Sequence, residues 1–251
     1  MLTENDKQIL SNLKTDNPEA YDLFLRREEE HKELLKTGCH DIRNIVTLLS
    51  GSYQLLGLTN PVLNSIPRFS QLGDDIKSLV KAFNDIALFR YSGTVSPTHS
   101  HLSVIESSIR RNIADEHTDI ADTVEIICEN PDAEVFTDPS KLAAAAGCLI
   151  TNALEACDCT VSAVITVCLS VESDNTLTIA VSDCGAAPAD DIREKMFSPF
   201  SSDKQGHLGL GLAIAAETAD ALGGSIACSH ESGITSFVLK VPSVSEFKTL
   251  V

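Results

Sequence analysis

Asp183-Cys-Gly185-Ala-Ala187 is followed by Phe197-Ser-Pro-Phe200 and then by Gly206-His-Leu-Gly209-Leu-Gly211-Leu, an ordered set of turn and helix-start signals. It begins directly after Thr176 to Ser182, a run rich in β-branched and apolar residues that predicts a strand. A glycine placed after a strand lets a ligand approach the backbone closely. Gly209 and Gly211 stand before Leu212 to Leu222, which reads as a helix stopped by Gly223-Gly224. The N–H groups at the start of such a helix receive phosphate oxygens. Asp183, acceptor-only when ionised, suits an exocyclic amine such as that of adenine.

Upstream, Asp138-Pro139 signals the start of a helix from about Ser140 to Ala156 that is apolar nearly all round, hence buried. Asn152 lies on it, and its amide oxygen can coordinate a hard cation shared with phosphates. Strands are expected at Thr123–Cys128, Ala133–Thr137, Ala163–Val171, Ser225–Ser229 and Thr235–Val241, and a helix at His101–Ile113. This mixture predicts an α/β two-layer sandwich, a mixed sheet with helices on one face.

Ahead of Pro97 the pattern is helical throughout. A short polar helix over residues 3 to about 16 ends near Asn17-Pro18, and Pro18 suits the first position of the next helix. Ile42, Ile45, Leu49, Tyr53 and Leu56 recur at intervals of three and four, with His40, Asn44, Thr47 and Gly51 on the opposite stripe. Gly57 to Pro61 is a turn cluster. Leu72, Ile76, Leu79, Phe83, Ile86 and Arg90 then form a heptad-like seam closed by Gly93. A helical hairpin is half of a core, and the simplest completion is a four-helix bundle built with a second copy of the chain. The fold class is therefore α+β, with a helical dimerisation domain over 1–95 and a ligand-binding domain over 96–251.

Composition narrows the partners. A net charge of −17 over 251 residues disfavours nucleic acid and anionic membrane surfaces. No run of about 18 apolar residues marks a transmembrane helix. The polar N-terminus is unlike a signal peptide, so a cytoplasmic location without membrane insertion is expected. The eight cysteines are scattered, and Cys128, Cys148, Cys168 and Cys228 read as small buried hydrophobes of a reducing compartment. Cys157-Asp-Cys159 is the one close pair, at a spacing that does not match zinc sites.

Residues 140 to 241 resemble the catalytic domain of sensor histidine kinases, within the wider family of gyrase, Hsp90 and MutL-type ATPases. Leu149-Ile-Thr-Asn152-Ala-Leu-Glu-Ala156 resembles the N box, and Asp183-Cys-Gly185 the G1 box. Phe197 to Lys204 resembles the F box, and His207-Leu-Gly209-Leu-Gly211-Leu-Ala-Ile214 the G2 box. Gly223-Gly224 and Ser232 to Phe237 are similar to the family's ending. The resemblance implies an ATP site in which Asn152 binds Mg²⁺ and Asp183 reads the adenine amine. It implies that Gly185, Lys204, Gly209, Leu210, Gly211 and Thr235 line the nucleotide, and that a mobile lid runs from about Ala189 to Leu208.

In the hairpin, His40-Asp-Ile-Arg-Asn44 is similar to the family's phosphoacceptor motif. Phosphoryl transfer to imidazole needs an exposed ring nitrogen. Asp41 can orient the ring and take its proton. Asn44, one helical turn on, can position water for hydrolysis of an aspartyl phosphate on a partner. The expected activity is autophosphorylation of His40 from Mg-ATP and transfer to an aspartate of a response regulator receiver domain, in a homodimer. Cys148, Ala187 and Ile234 replace residues usual in the family, which keeps open a kinase-derived histidine phosphotransferase or a regulatory module with weak or no ATP binding. Residues 1 to about 30 suit either an extension of the bundle or a docking segment for a separate sensor.

Overall fold

The computed structural model describes residues 4–116, 123–157, 165–202 and 207–243. Contacts divide the chain into two compact units, residues 1–87 and 88–251.

The first unit is helical. Helix α1 spans Glu4–Asp16 and α2 spans Pro18–Thr59. Asn17 separates them and caps α2, its side-chain oxygen accepting the Ala20 N–H at 3.1 Å. Pro18, with no N–H to lose, takes the first helical position. A 3₁₀ turn at Pro61–Ser65 leads into α3, Pro67–Ser92, which begins on another proline. The turn is closed by Asn64, whose amide donates to the Gly57 carbonyl.

The hairpin closes on only part of the stripes the periodicity picks out, Tyr53 and Ile76, together with residues outside them. Val46, Gly57, Gly73 and Ile76 are buried, and Tyr53 stacks on Phe69 with ring centroids 4.5 Å apart. Gly73 makes room for that ring: a Cβ there would lie within 2.8 Å of three Tyr53 atoms. Ile42, Ile45, Leu49, Leu56, Leu72 and Leu79 are left 41–65 % exposed. A helix with a broad apolar arc can offer its return partner only one strip of it.

The second unit is a two-layer sandwich. Its elements are β1 (Thr98–His101), α4 (Leu102–Glu116), β2 (Val124–Cys128), β3 (Glu134–Thr137), α5 (Pro139–Ala156), β4 (Ile165–Val171) and β5 (Thr176–Asp183). There follow α6 (Asp190–Arg193), α7 (Gly211–Ala221), β6 (Ser225–Glu231) and β7 (Ile234–Pro242). The main sheet has the order β2-β4-β5-β7-β6, with β2 parallel to β4 and the other neighbours antiparallel. Burial alternates along β4, β5 and β7, so one face carries Val167, Leu169, Ile179, Val181, Phe237 and Leu239. Helices α4, α5 and α7 cover that face. The β6–β7 hairpin turns through Ser232 and Gly233, both at positive φ (53° and 80°), as a two-residue turn between twisted strands requires.

Strand β1 is absent from the sequence reading. Thr-His-Ser-His has no apolar alternation, and it is a strand only because β3 pairs with it, Thr98 opposite Thr137 and His101 opposite Glu134. Asp138 anchors the start of α5 beside this pair. Its carboxylate accepts the Lys141 N–H at 3.1 Å, the Ser140 hydroxyl at 2.7 Å and the Ser96 N–H at 2.9 Å. Burial works against the charge, but these hydrogen bonds and the Lys141 ammonium hold the carboxyl below its ordinary value.

Candidate functional site

Helix α5 is not apolar all round. Leu142, Ala146, Leu149 and Ala153 are buried, while Cys148, Asn152 and Glu155 form a half-exposed stripe at helical spacing. That stripe faces the start of α7: a Cβ on Gly211 would lie 3.7 Å from the Cys148 Cβ. The Asn152 amide has no hydrogen-bond partner among the described residues. Glu155 comes within 3.5 Å of His207 Nδ1. Glu155 was not among the predicted site residues, and its place, one turn beyond Asn152 on the same face, is the signal that could have found it.

Asp183 ends β5 and is 3 % exposed. Its Oδ1 accepts the Gly185 N–H at 2.7 Å, folding the chain into a tight turn. A Cβ on Gly185 would lie 2.9 Å or less from Asp183 Oδ1 and from the Ala156 Cβ and carbonyl oxygen, so no larger residue fits there. Thr235 lies opposite Asp183 in the β5–β7 register. Its hydroxyl donates to the Gly185 carbonyl at 3.3 Å, and the His230 Nδ1 lies 2.9 Å from the same oxygen. With the hydroxyl proton committed to Gly185, His230 is the donor of that second bond. His230 is therefore a further part of the site, brought in by the β6–β7 hairpin.

Gly209 has φ +66°, and a Cβ on it would strike the backbone of Ser201 at 2.6–2.7 Å. Only glycine holds this crossing of the two segments. Leu210 is buried, so its backbone is the part it can offer to a ligand. It also stands at the N-cap of α7 with no side-chain cap, leaving the first-turn N–H groups for an anion. The Phe-Ser-Pro-Phe segment splits: Phe197 packs edge-on against Phe237 with centroids 6.4 Å apart, while Phe200 is 70 % exposed at φ +61°. The predicted residue Lys204 lies outside the described residues, as do Gly206 and Cys159.

Among the described residues, no group of three or more His, Cys, Asp or Glu side chains is placed to hold a metal ion. A cation here would be shared between phosphate oxygens and Asn152, which fits Mg²⁺ with its retained waters. The geometry fits an adenine nucleotide: a buried carboxylate for the amine, glycine turns that exclude side chains, and an uncapped helix start for phosphates. Cys128, Cys148, Cys168 and Cys228 are half-buried rather than fully inside. The Cys128 thiol is pushed up to about 11 by burial and the Glu106 carboxylate beside it, so it is protonated at neutral pH.

In the helical unit, His40 is 70 % exposed, and both of its described contacts use one ring nitrogen. Nδ1 lies 3.4 Å from Asp41 Oδ1 and 3.3 Å from Asn44 Nδ2. In one tautomer Nδ1 donates to Asp41, and in the other it accepts from Asn44. Nε2 has no partner among the described residues.

Residues 137–245 match the family of histidine kinase-, DNA gyrase B- and HSP90-like ATPases. The C4-dicarboxylate transport sensor protein DctB of Rhizobium meliloti is 36 % identical over 93 residues, 37 % of this chain and 15 % of that protein. The CAI-1 autoinducer sensor kinase/phosphatase CqsS of Vibrio cholerae is 29 % identical over 236 residues, 86 % of this chain and 32 % of that protein. The chain thus spans about a third or less of the length of these curated relatives. Among solved structures, full-length ShkA in complex with AMPPNP superposes with a TM-score of 0.64 at 20 % identity, over 84 % of this chain and 46 % of that one. The histidine kinase AdeS of Acinetobacter baumannii superposes with a TM-score of 0.55 at 17 % identity, over 81 % and 98 % of the two chains. At these identities the two structures establish a shared fold. No helix among the described residues is long and apolar enough to cross a membrane.

Proposed function

We propose that the chain is a protein-histidine kinase of the sensor kinase type, its residues 137–245 carrying the match to the histidine kinase-, DNA gyrase B- and HSP90-like ATPases. It binds Mg-ATP between α5, the turn after β5 and the start of α7. It phosphorylates His40 and passes the phosphoryl group to an aspartate of a response regulator receiver domain. The observation that carries this reading is the setting of His40. With Nδ1–H donated to Asp41, the Nε2 lone pair is free and exposed for in-line attack on the γ-phosphorus. As the Nε2–P bond forms and ADP leaves, the acidified Nδ1 proton passes to Asp41. Asn152 would hold the Mg²⁺, which supplies charge neutralisation of the phosphates.

Asn44 supports a second activity of the same site. When its amide donates to Nδ1, Nε2 carries the proton and is no longer a nucleophile, and Asn44 stands one turn along to position water. Dephosphorylation of the receiver aspartate follows from that state. The relative CqsS is named a sensor kinase/phosphatase, in keeping with a dual role. A homodimer is supported by the apolar strip that the hairpin leaves uncovered, including Ile45 at 65 % and Leu48 at 74 % exposed. A second copy would complete a four-helix bundle. A cytoplasmic setting, with residues 1 to about 30 either extending the bundle or docking a separate sensor protein, completes the proposal.

A phosphotransferase derived from such a kinase is favoured by one observation. Cys148 sets a thiol, a poor hydrogen-bond donor, one turn before Asn152 and against the start of α7. Incubation with γ-labelled Mg-ATP separates the two readings. The kinase gives acid-labile, base-stable label on the wild type and none on His40→Ala or Asn152→Ala. An unlabelled wild type that nonetheless accepts phosphate on His40 from a phosphorylated receiver domain would establish the relay instead.

A further inference from the structure

Two cysteines that the phosphoryl chemistry does not use meet at the edge of the nucleotide site. Cys157 caps the C-terminus of α5, its N–H donating to the Ala153 carbonyl. Cys184 is the middle residue of the Asp183–Gly185 turn. They stand 27 positions apart in the chain, yet their sulfurs are 3.9 Å apart. Cys157 is 8 % exposed, whereas Cys184 is exposed. The turn already rides against the end of α5, with the Ala156 Cβ and carbonyl oxygen within 2.9 Å of where a Gly185 Cβ would be.

We propose that Cys157 and Cys184 form a reversible dithiol–disulfide pair whose oxidised form weakens nucleotide binding. A disulfide bond is about 2.05 Å long, so closing it draws the two sulfurs together by almost 2 Å. In this proposal the turn takes up that movement, since Cys184 stands between Asp183 and Gly185 against the end of α5, and Asp183, the adenine-reading carboxylate, moves with it relative to Thr235. The consequence for nucleotide rests on the ATP-binding reading; the covalent bond does not.

The oxidant is a low-molecular-weight disulfide such as oxidised glutathione. The exposed Cys184 attacks first as its thiolate: the oxidant's S–S bond breaks, a mixed disulfide forms and one thiol leaves. Cys157 then attacks the Cys184 sulfur and releases the second thiol. Two electrons pass to the oxidant, and the two protein protons end on the two released thiols. Burial, with the Cys184 thiol and the Asp183 carboxylate adding to it, holds the Cys157 thiol above its ordinary value. The resolving step is therefore slow at neutral pH and speeds up as pH rises.

The test uses the full chain with and without oxidised glutathione. Peptide mass mapping is expected to find a 157–184 cross-link in the wild type, reversed by dithiothreitol and absent from Cys157→Ser and Cys184→Ser. A persistent glutathione adduct on Cys184 with no cross-link overturns the proposal. Titration with a fluorescent ATP analogue is expected to show at least tenfold weaker binding after oxidation, restored by reduction, and no oxidant effect on Cys157→Ser. A cross-linked chain that binds the analogue as tightly as the reduced one overturns the gating. A reduced wild type that binds no nucleotide overturns the ATP-binding reading, and the gating with it, while the masses still report the bond.

Discussion

Asp183→Asn separates binding from folding at this site, because the two side chains share a shape. In the wild type, Oδ1 takes the Gly185 N–H at 2.7 Å in a residue only 3 % exposed, and in the proposed site the second oxygen would serve the adenine amine. An asparagine can satisfy one of these donors, not both. With its oxygen on Gly185, its NH₂ confronts the adenine amine; flipped, its NH₂ confronts the Gly185 N–H inside the chain. Either way a hydrogen bond to a charged acceptor is lost, worth about 1.5–3 kcal/mol. At about 1.4 kcal/mol per decade, affinity for Mg-ATP falls roughly ten- to a hundredfold. Stability changes little, because the substitution also removes a buried charge. Calorimetric titration with a non-hydrolysable ATP analogue reads the affinity, and thermal unfolding by circular dichroism reads the fold. A triphosphate lacking the exocyclic amine closes a double-substitution cycle: it should bind the wild type weakly and the variant no worse. If Asp183→Asn binds ATP within twofold of the wild type, or loses equally for both nucleotides, Asp183 does not read the amine.

The two glycines ahead of α7 should behave differently. Gly209→Ala forces a side chain into left-handed backbone, at about 1–2 kcal/mol, and against the Ser201 backbone, so nucleotide affinity should drop about tenfold by the same calorimetry. Gly211→Ala meets only ordinary contacts, and thermal unfolding should show an unchanged or higher midpoint. Asp138→Ala removes the cap of α5 and should cost about 1–2 kcal/mol in urea unfolding at neutral pH. The Asp138 carboxyl is held below its ordinary value, so its stabilisation is complete above about pH 4 and lost as pH falls through the depressed folded value; the gap between variant and wild type should narrow in acid. The double substitution Ile45→Lys, Leu48→Lys should halve the mass in analytical ultracentrifugation while leaving the helix content intact; a wild type that sediments as a monomer would refute the bundle.

What can be read from the residues alone is what depends on physics local to the chain. Asn152, Asp183-x-Gly185 and Gly209-x-Gly211 are legible because a strand end, a tight turn and a helix start each demand particular residues within a few positions. The helices around His40 are legible for the same reason, from period and proline placement. The rest depends on which surfaces meet in the folded chain. Thr98–His101 is a strand only because β3 lies beside it. Of the Ile42–Leu56 stripe only Tyr53 packs on the return helix, joined by Val46 and Gly57 from outside it, because Gly57 and Gly73 make room for the Tyr53–Phe69 stack. His230 joins the site through a cross-strand contact with Thr235, and Cys157 meets Cys184 because α5 ends over the turn that follows β5. Periodicity marks which residues avoid water, but it carries no information about which neighbour removes the water, and that is where the redox pair and the shape of the nucleotide site were set.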